Sequence, residues 1–493
     1  MGRKRRLIAF LRRHRWFAAA FALASVLRLV AMLGYRSALW FNDSYEYVSV
    51  ALHPFRPHPI RPNGYGWWLL AMEPFHSFGF VVFTQHVMGL ATAVLIYALL
   101  HRRFGLPGWG ATLAAVPVLF DAYQIQLEHL IMSDTMFTML VVAVVTMVLW
   151  HRRMSWRVAA VVGLLLALTA LTRSIGLPIL ALVMVFMLIK RVGWRPITAL
   201  VAACAVPVLA YMGWFASTYG NFAMTNSDGP ILYMRTALFA DCNKMGIDER
   251  KELELALLCI IVPRDQRGAS GQGFLWWDST GQKFHVFGPG SKFNVDMNAN
   301  ASKFAQRAIL SQPGDYLYVV ARDFFRAFRW DRPTFPDPKT FVQYEFPSVE
   351  KPLPTWSLYK GRADTDAETY EHGSAATQIV APWAGFMQAY QRVVHLPGTA
   401  LGVILLIGLA GVVARWRKLG GPVLLPWLAA VGLILAPAAT AEFDYRYLLP
   451  AVPLACLAAG ISLRHGVRRP RWFRPSSRRA SEPAIAGTSP APR

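Results

Sequence analysis

The chain has 493 residues, 55% of them hydrophobic and only 16% charged. A soluble chain of that length needs more charge to cover its surface, so this composition excludes an ordinary soluble protein and leaves long apolar runs to face lipid. The 51 Lys and Arg against 28 Asp and Glu give a formal +23. Those cations cluster beside apolar runs, with no helix-turn-helix, zinc-finger or RNA-binding signature, so nucleic acid is not read as a partner.

Met1 to Trp16 has the basic character of a signal-peptide start, but no small-residue cleavage site follows, and it reads as the flank of a retained first helix. Apolar runs predict spans at roughly 17–34, 79–100, 109–122, 134–150, 158–172, 176–190, 197–216, 396–416, 421–440 and 448–463. Several are short for a core of about 30 Å, and those at 109–122 and 158–172 read as broken or tilted. The expected fold is therefore a membrane all-α, polytopic bundle of about ten helices (range roughly 9–13) with a mixed extracytoplasmic domain.

Charge sets the orientation. With the N-terminus in the cytoplasm, the segments assigned inside carry 26 Lys and Arg. The short outer segments hold only Arg36, Arg56, Arg61, Arg173 and Arg446. That is the positive-inside asymmetry, and every Asp and Glu except Glu482 falls outside or at an outer helix end. Both termini are thus expected in the cytoplasm of a multi-pass plasma-membrane protein. The expected organisation is a transmembrane module over 1–216 with its first outer loop at 35–78, an extracytoplasmic domain over 217–395, further spans over 396–463, and a basic, disordered tail over 464–493. Within the outer domain, Ala299 to Trp330 is helical in period with a break near Pro313-Gly314, and Arg322, Arg326 and Arg329 are placed to meet lipid headgroups. Cys204 and Cys456 fall in spans as packing residues. Cys242 and Cys259 lie outside, where a disulfide is chemically allowed and the sequence leaves their pairing open.

Four stretches bring together chemistry-bearing side chains. The first loop holds Asp43 and Glu46, then His58-Pro59-Ile60-Arg61-Pro62-Asn63-Gly64-Tyr65. A carboxylate there suits general-base work on a hydroxyl, and its plain alternative is capping the next helix. The second stretch is Asp121, Glu128, His129, Met132, Ser133 and Asp134. Ser133 as N-cap with Asp134 at the positive helix end explains that pair, but leaves Glu128 unexplained. A metal held by Glu128 and His129 has no recognised ligand spacing, so no metal site is assigned, although a divalent metal remains open. Third, Arg173 stands in a short turn between apolar spans, where it either snorkels to headgroups or grips a substrate phosphate. Fourth, Glu442-Phe443-Asp444-Tyr445-Arg446-Tyr447 places another guanidinium at a helix start, with Asp444 or Glu442 as its plain partner. No P-loop, dinucleotide fingerprint, HExxH pair or paired CxxC is present.

Taken in order, these stretches resemble the C-type membrane glycosyltransferase superfamily, in the branch of protein O-mannosyltransferases and lipid A aminoarabinose transferases. The resemblance rests on Asp43-Ser44-x-x-Tyr47-x-x-x-Ala51, Arg61 to Tyr65, Glu128 to Asp134, Thr172-Arg173 and Arg446-Tyr447-x-x-Pro450. It implies inverting transfer of a hexosyl or pentosyl group from a polyprenyl-phosphate carrier to a glycan, lipid or protein acceptor in the envelope. Asp43 is then the base, Arg173 and Arg446 hold the carrier phosphate, Glu128 and Asp134 support them, and Arg61, Tyr65 and Tyr447 line the substrate site. The chain departs at Ser44, where many relatives have a second acid, and Glu46 takes that place only if the turn is helical. The competing readings are a transporter or flippase of a lipid-linked molecule and a non-catalytic envelope scaffold. A transporter would show repeat symmetry and charged or broken segments near the midplane, and a scaffold would not require Asp43, Arg173 and Arg446 to converge.

Overall fold

Each predicted apolar run lies on a helix in a computed structural model that describes residues 13–151, 153–276, 291–357 and 361–464. The basic start before Arg13 and the tail after Arg464 lie outside the described residues. Among the described residues, five helices are long and apolar enough to cross a membrane: Arg15–Gly34, Phe78–Arg103, Trp194–Tyr219, Gly421–Thr440 and Tyr445–Leu463. Trp383–Val393 and Gly398–Val413 meet at a 57° bend and count as a sixth if they form one broken span. Gly108–Phe120, Asp134–Trp150, Trp156–Thr172 and Gly176–Ile189 are apolar but shorter. At 1.5 Å per residue, the 13-residue Gly108–Phe120 reaches only about 20 Å. It ends where Asp121 accepts hydrogen bonds from the Tyr123 and Gln124 amides and starts a new helix, Ala122–His129. Trp156–Thr172, expected to be broken or tilted, is one continuous helix.

These helices share one apolar core, while Leu23, Val26, Leu29, Leu164, Leu168, Val206 and Leu209 are exposed on their outer faces. Outward apolar stripes of that extent suit lipid rather than water. The bundle also buries an ion network. Arg28 of the first span is 2% exposed, with Nε 2.8 Å from Glu128 Oε2 and Nη2 2.9 Å from Oε1. His86 Nδ1 lies 2.9 Å from the same carboxylate, Gln124 donates to it at 3.1 Å, and His86 Nε2 is 3.2 Å from His129 Nδ1. A charge among membrane helices is tolerable only when paired and hydrogen-bonded, and here the fork of Arg28 supplies both.

The segment over 217–395 holds a second apolar core, in which Tyr233, Phe239, Leu258, Met297 and Phe304 enclose Ile60 from the first loop. Cys242 and Cys259 are disulfide-bonded beside it. The mixed character expected of this segment is corrected: its described part is helical and irregular. The one paired strand is Gln378–Ile379, two residues antiparallel to Tyr35–Arg36. Prolines at 333, 336, 338, 347, 352 and 354 explain this, because each lacks the amide that a ladder needs. Helices Val295–Ser311 and Pro313–Arg326 break at Gln312 as expected. Arg322 and Arg326, read from sequence as headgroup contacts, instead flank the buried Asp323 at 3.3 and 3.6 Å, and Arg235 meets it from the other side at 2.6 Å. Arg329 is exposed and pairs with Asp331 at 2.9 Å.

Glu128 fits its network because Gly89 leaves the room. A Cβ added at Gly89 would stand 1.9 Å from Glu128 Oε1. Gly89→Ala is expected to lower the thermal unfolding temperature in detergent, approaching the loss of about 3–5 kcal/mol that follows breaking a buried pair. Gly213→Ala, with no atom within 4 Å of its Cβ, should leave that temperature unchanged or slightly raised.

Candidate active site

Asp43 ends the irregular link after the first span and occupies the N-cap position of helix Ser44–Leu52, yet its side chain makes no capping bond. Both carboxylate oxygens go to arginines instead. Arg61 Nη2 lies 2.6 Å from Oδ1 and its Nη1 donates to Oδ2 at 2.8 Å, while Arg446 Nη1 donates to Oδ2 at 2.6 Å. Asp43 and Arg446 are 403 residues apart in sequence.

Each arginine is held by its own scaffold. The loop bearing Arg61 is pinned where the Asn226 amide donates to the Pro59 carbonyl (2.7 Å), Ser227 Oγ to that of Ile60 (2.9 Å) and the Tyr219 hydroxyl to that of Pro57 (2.8 Å). Arg446 sits in the short helix Tyr445–Leu448, capped by Asp444, which accepts from the Arg446 amide at 3.1 Å. The Tyr344 hydroxyl donates to the same Asp444 oxygen. The Arg446 guanidinium lies over the Phe41 ring, 4.8 Å from its centroid, and over Tyr447 at 5.1 Å.

A second acid–arginine pair adjoins the first. Arg173 bonds Asp134 and also lies over the Tyr447 ring, 5.3 Å from its centroid. Helix Gly64–Met72 starts directly against this turn. A Cβ at Gly64 would stand 2.5 Å from the Leu171 carbonyl oxygen, so only glycine permits the approach. Ser133, at the N-cap of Asp134–Trp150, makes no capping bond either; its hydroxyl is 2.8 Å from that of Tyr47. Asp134 Oδ2 is buried with no hydrogen-bond partner among the described residues.

Asp43, Arg61, Asp134, Arg173, Arg446 and Tyr447 therefore gather at one place, joined by Tyr47, whose ring lies 5.4 Å from the Arg61 guanidinium. Tyr65 packs edge-on against that Tyr47 ring, 4.9 Å between centroids, whereas Glu46 and Glu128 bond elsewhere. The turn after Asp43 is helical, but Glu46 faces away and bonds His58 Nε2 at 3.0 Å, both fully buried. Tyr65 donates to Gln85 at 2.7 Å, and Glu128 belongs to the Arg28 network. Sequence reading did not single out Tyr344 or the pairing of His58 with Glu46. Tyr344 reaches Asp444 from a segment without a motif, so no local signal marked it.

Burial opposes ionisation of Asp43, but the charges of Arg446 and Arg61 and their hydrogen bonds outweigh it and hold the carboxyl well below the usual carboxylate range. Every clustered acid faces a guanidinium, so the donor set favours an anionic ligand over a divalent cation. Side-chain exposures of 11–19% for the three arginines leave them reachable at the edge of the cluster. Beside it lies a cavity of about 290 Å³, lined among others by Trp40, Asn42, Tyr45, Gln343, Lys351 and Trp356.

Glu442, two residues before Asp444, behaves differently. Burial pushes its carboxyl up to about 8, against the opposing hydrogen bonds from the Gly271 amide and Ser270 hydroxyl. An acid protonated this way adds stability below its ordinary value near 4.5 and loses that contribution as pH rises through about 8. Thermal unfolding from pH 6 to 9 should therefore fall more steeply in the wild type than in Glu442→Gln, with the two curves parting towards pH 8.

No family model and no curated protein matches the chain. Among solved structures, it is similar to the oligosaccharyltransferase of Archaeoglobus fulgidus in its apo form, at 13% identity and a TM-score of 0.42, covering 91% of this chain and 50% of that one. It is similar, at 14% identity and 0.42, to AglB from the same organism in complex with an inhibitory peptide and a dolichol-phosphate, with the same coverage. A third likeness is to ArnT from Cupriavidus metallidurans bound to undecaprenyl phosphate, at 11% identity and 0.36, covering 91% of this chain and 77% of that one. The chain spans about half the length of the archaeal enzyme.

Proposed function

We propose that this chain is a C-type membrane glycosyltransferase of the O-mannosyltransferase and aminoarabinose-transferase branch. It moves a hexosyl or pentosyl group from a polyprenyl-phosphate carrier to an envelope acceptor on the outer face of the plasma membrane, with inversion. The observation that carries this reading is the convergence of Asp43, Arg61, Arg173 and Arg446 from three separate stretches of sequence on one partly exposed cluster. In this reading the five long helices, the bent pair and the four shorter helices make ten spans. The cationic ends then lie in the cytoplasm, and residues 217–395 form the outer domain.

The chemistry follows from the charges. The acceptor hydroxyl attacks the anomeric carbon from the face opposite the phosphate, the bond from that carbon to the phosphate oxygen breaks, and polyprenyl phosphate leaves. The hydroxyl proton passes to Asp43. Arg446 and Arg173 hold the phosphate and stabilise the charge it gains, which is the role of guanidinium clamps in transfer from phosphate leaving groups. A carboxylate gripped by two arginines is a poor base, so donor and base are coupled. The incoming phosphate draws Arg446 from Asp43, and the basicity of Asp43 rises only when the donor is in place. Asp134 Oδ2 is available to accept from a sugar hydroxyl, and the cavity lined by Trp40, Tyr45 and Trp356 suits an acceptor sugar face.

The test uses purified protein in detergent, radiolabelled polyprenyl-phosphate sugars and a cell-envelope acceptor fraction. Asp43→Asn is expected to lower transfer by about 10²- to 10⁴-fold, the usual contribution of a general base, with donor binding retained. Arg446→Lys should weaken donor binding, since a point charge replaces a planar fork. Donor binding without transfer in the wild type would favour a transporter or flippase of a lipid-linked substrate instead.

A further inference from the structure

Outside that cluster, the first outer loop carries a group of side chains to which the proposed reaction gives no part. Glu73 lies in the short turn Glu73–Phe75 that follows helix Gly64–Met72, and His76 ends that turn. His372 ends helix Ala363–Glu371, nearly 300 residues later. One ligand atom from each of the three lies within 4.8 Å of the others. We infer that Glu73, His76 and His372 form a binding site for a divalent transition-metal ion of zinc's class, which staples the first outer loop to the segment around residue 372. The inference does not rest on the transferase reading.

Three observations support it. The donors are two imidazoles and a carboxylate, a ligand set that zinc accepts with a water completing a tetrahedron. Metal–ligand bonds of about 2.0–2.2 Å place neighbouring tetrahedral donors roughly 3.3–3.5 Å apart. His76 Nδ1 and Glu73 Oε1 are 3.7 Å apart, and the His76 and His372 rings are stacked with centroids 3.4 Å apart. The rings are only 18° from parallel, so each must turn about its Cβ–Cγ bond to aim its in-plane lone pair at one ion.

The second observation is the backbone. His76 and His372 both have left-handed φ, +46° and +55°, a region that residues with a Cβ seldom adopt. Gly373 follows His372 and would suit that helix-ending conformation better, yet the histidine holds it. Two independent helix ends thus accept the same unfavourable conformation and present imidazoles to each other.

Third, the two ends are fixed together without an ion. The Tyr370 hydroxyl donates to the Leu69 carbonyl at 2.7 Å, its ring stacks on Phe78 at 4.5 Å, and the Phe78 amide donates to the Glu371 carboxylate. The Tyr370 carbonyl lies 3.3 Å from His76 Nδ1, so an ion that takes this nitrogen replaces that contact. A donor set held on such a frame needs little ordering when an ion arrives.

The experiment strips full-length protein in detergent with a chelator, dialyses it and titrates zinc chloride against a chromophoric competitor, reading metal content and thermal unfolding together. The wild type is expected to retain one zinc per chain and to unfold at a higher temperature with zinc than without. His76→Asn and His372→Asn keep a residue that tolerates left-handed φ, so both should fold with the zinc-free unfolding temperature unchanged. Each should bind zinc at least tenfold more weakly and lose the zinc-dependent rise. Glu73→Gln, which leaves both histidine backbones untouched, should weaken binding as well. Failure of the wild type to bind stoichiometric zinc overturns the proposal. Undiminished binding by the His76→Asn/His372→Asn double variant also overturns it, because the metal then sits on other histidines.

Discussion

A carboxylate that neutralises two arginines from opposite ends of the chain is the constraint on which this architecture turns. Asp43 cannot keep both partners unless three things hold at once. The loop after the first long helix must fold back so that Arg61 returns to it, residues 219–227 must pin that loop, and the last long helix must begin where it puts Arg446 alongside. Ile60 shows how closely these are tied, since its side chain sits in the second apolar core while its neighbour Arg61 grips Asp43. The cluster thus lies at a seam between the helix bundle and the segment over 217–395.

Other buried charges follow the same logic with different outcomes. Glu128 is met by Arg28, His86 and Gln124, and Asp323 by Arg235, Arg322 and Arg326, although Arg235 Nε and Nη2 stay buried without a hydrogen-bond partner among the described residues. Glu442 has only neutral donors and two acidic neighbours, and its burial is met by a proton. In the Asp43 cluster three arginines meet three acids, Arg446 also lying 3.3 Å from Asp444, and the guanidiniums remain partly exposed.

Much of this was legible in the sequence, and the reasons differ by element. The helices were readable because apolar runs near membrane length are dictated by lipid rather than by neighbours. Their number of true crossings was less so, since Gly108–Phe120 and Gly176–Ile189 fall short of a span by length alone. Asp43, Arg173 and Arg446 stood out because a charge beside an apolar run is expensive and demands an explanation. Glu46 and Glu128 drew attention for the same reason, and here the explanation is a buried partner. Arg28 lies 100 residues from Glu128, in another helix, and no local pattern announces the pair. Asp43 and Ser133 show the reverse case. Both occupy N-cap positions as local rules expect, but tertiary partners took their side chains from the cap.

The 403-residue separation of Asp43 and Arg446 also has a consequence in time. At synthesis rates of about 5–20 residues per second, Arg446 emerges roughly 20–80 seconds after Asp43. During that interval the carboxylate of Asp43 has Arg61 but not Arg446 for company. The paired cluster therefore exists only in a chain whose last long helix has been inserted. A nascent or truncated copy that ends before Arg446 carries the loop without the grip that completes it.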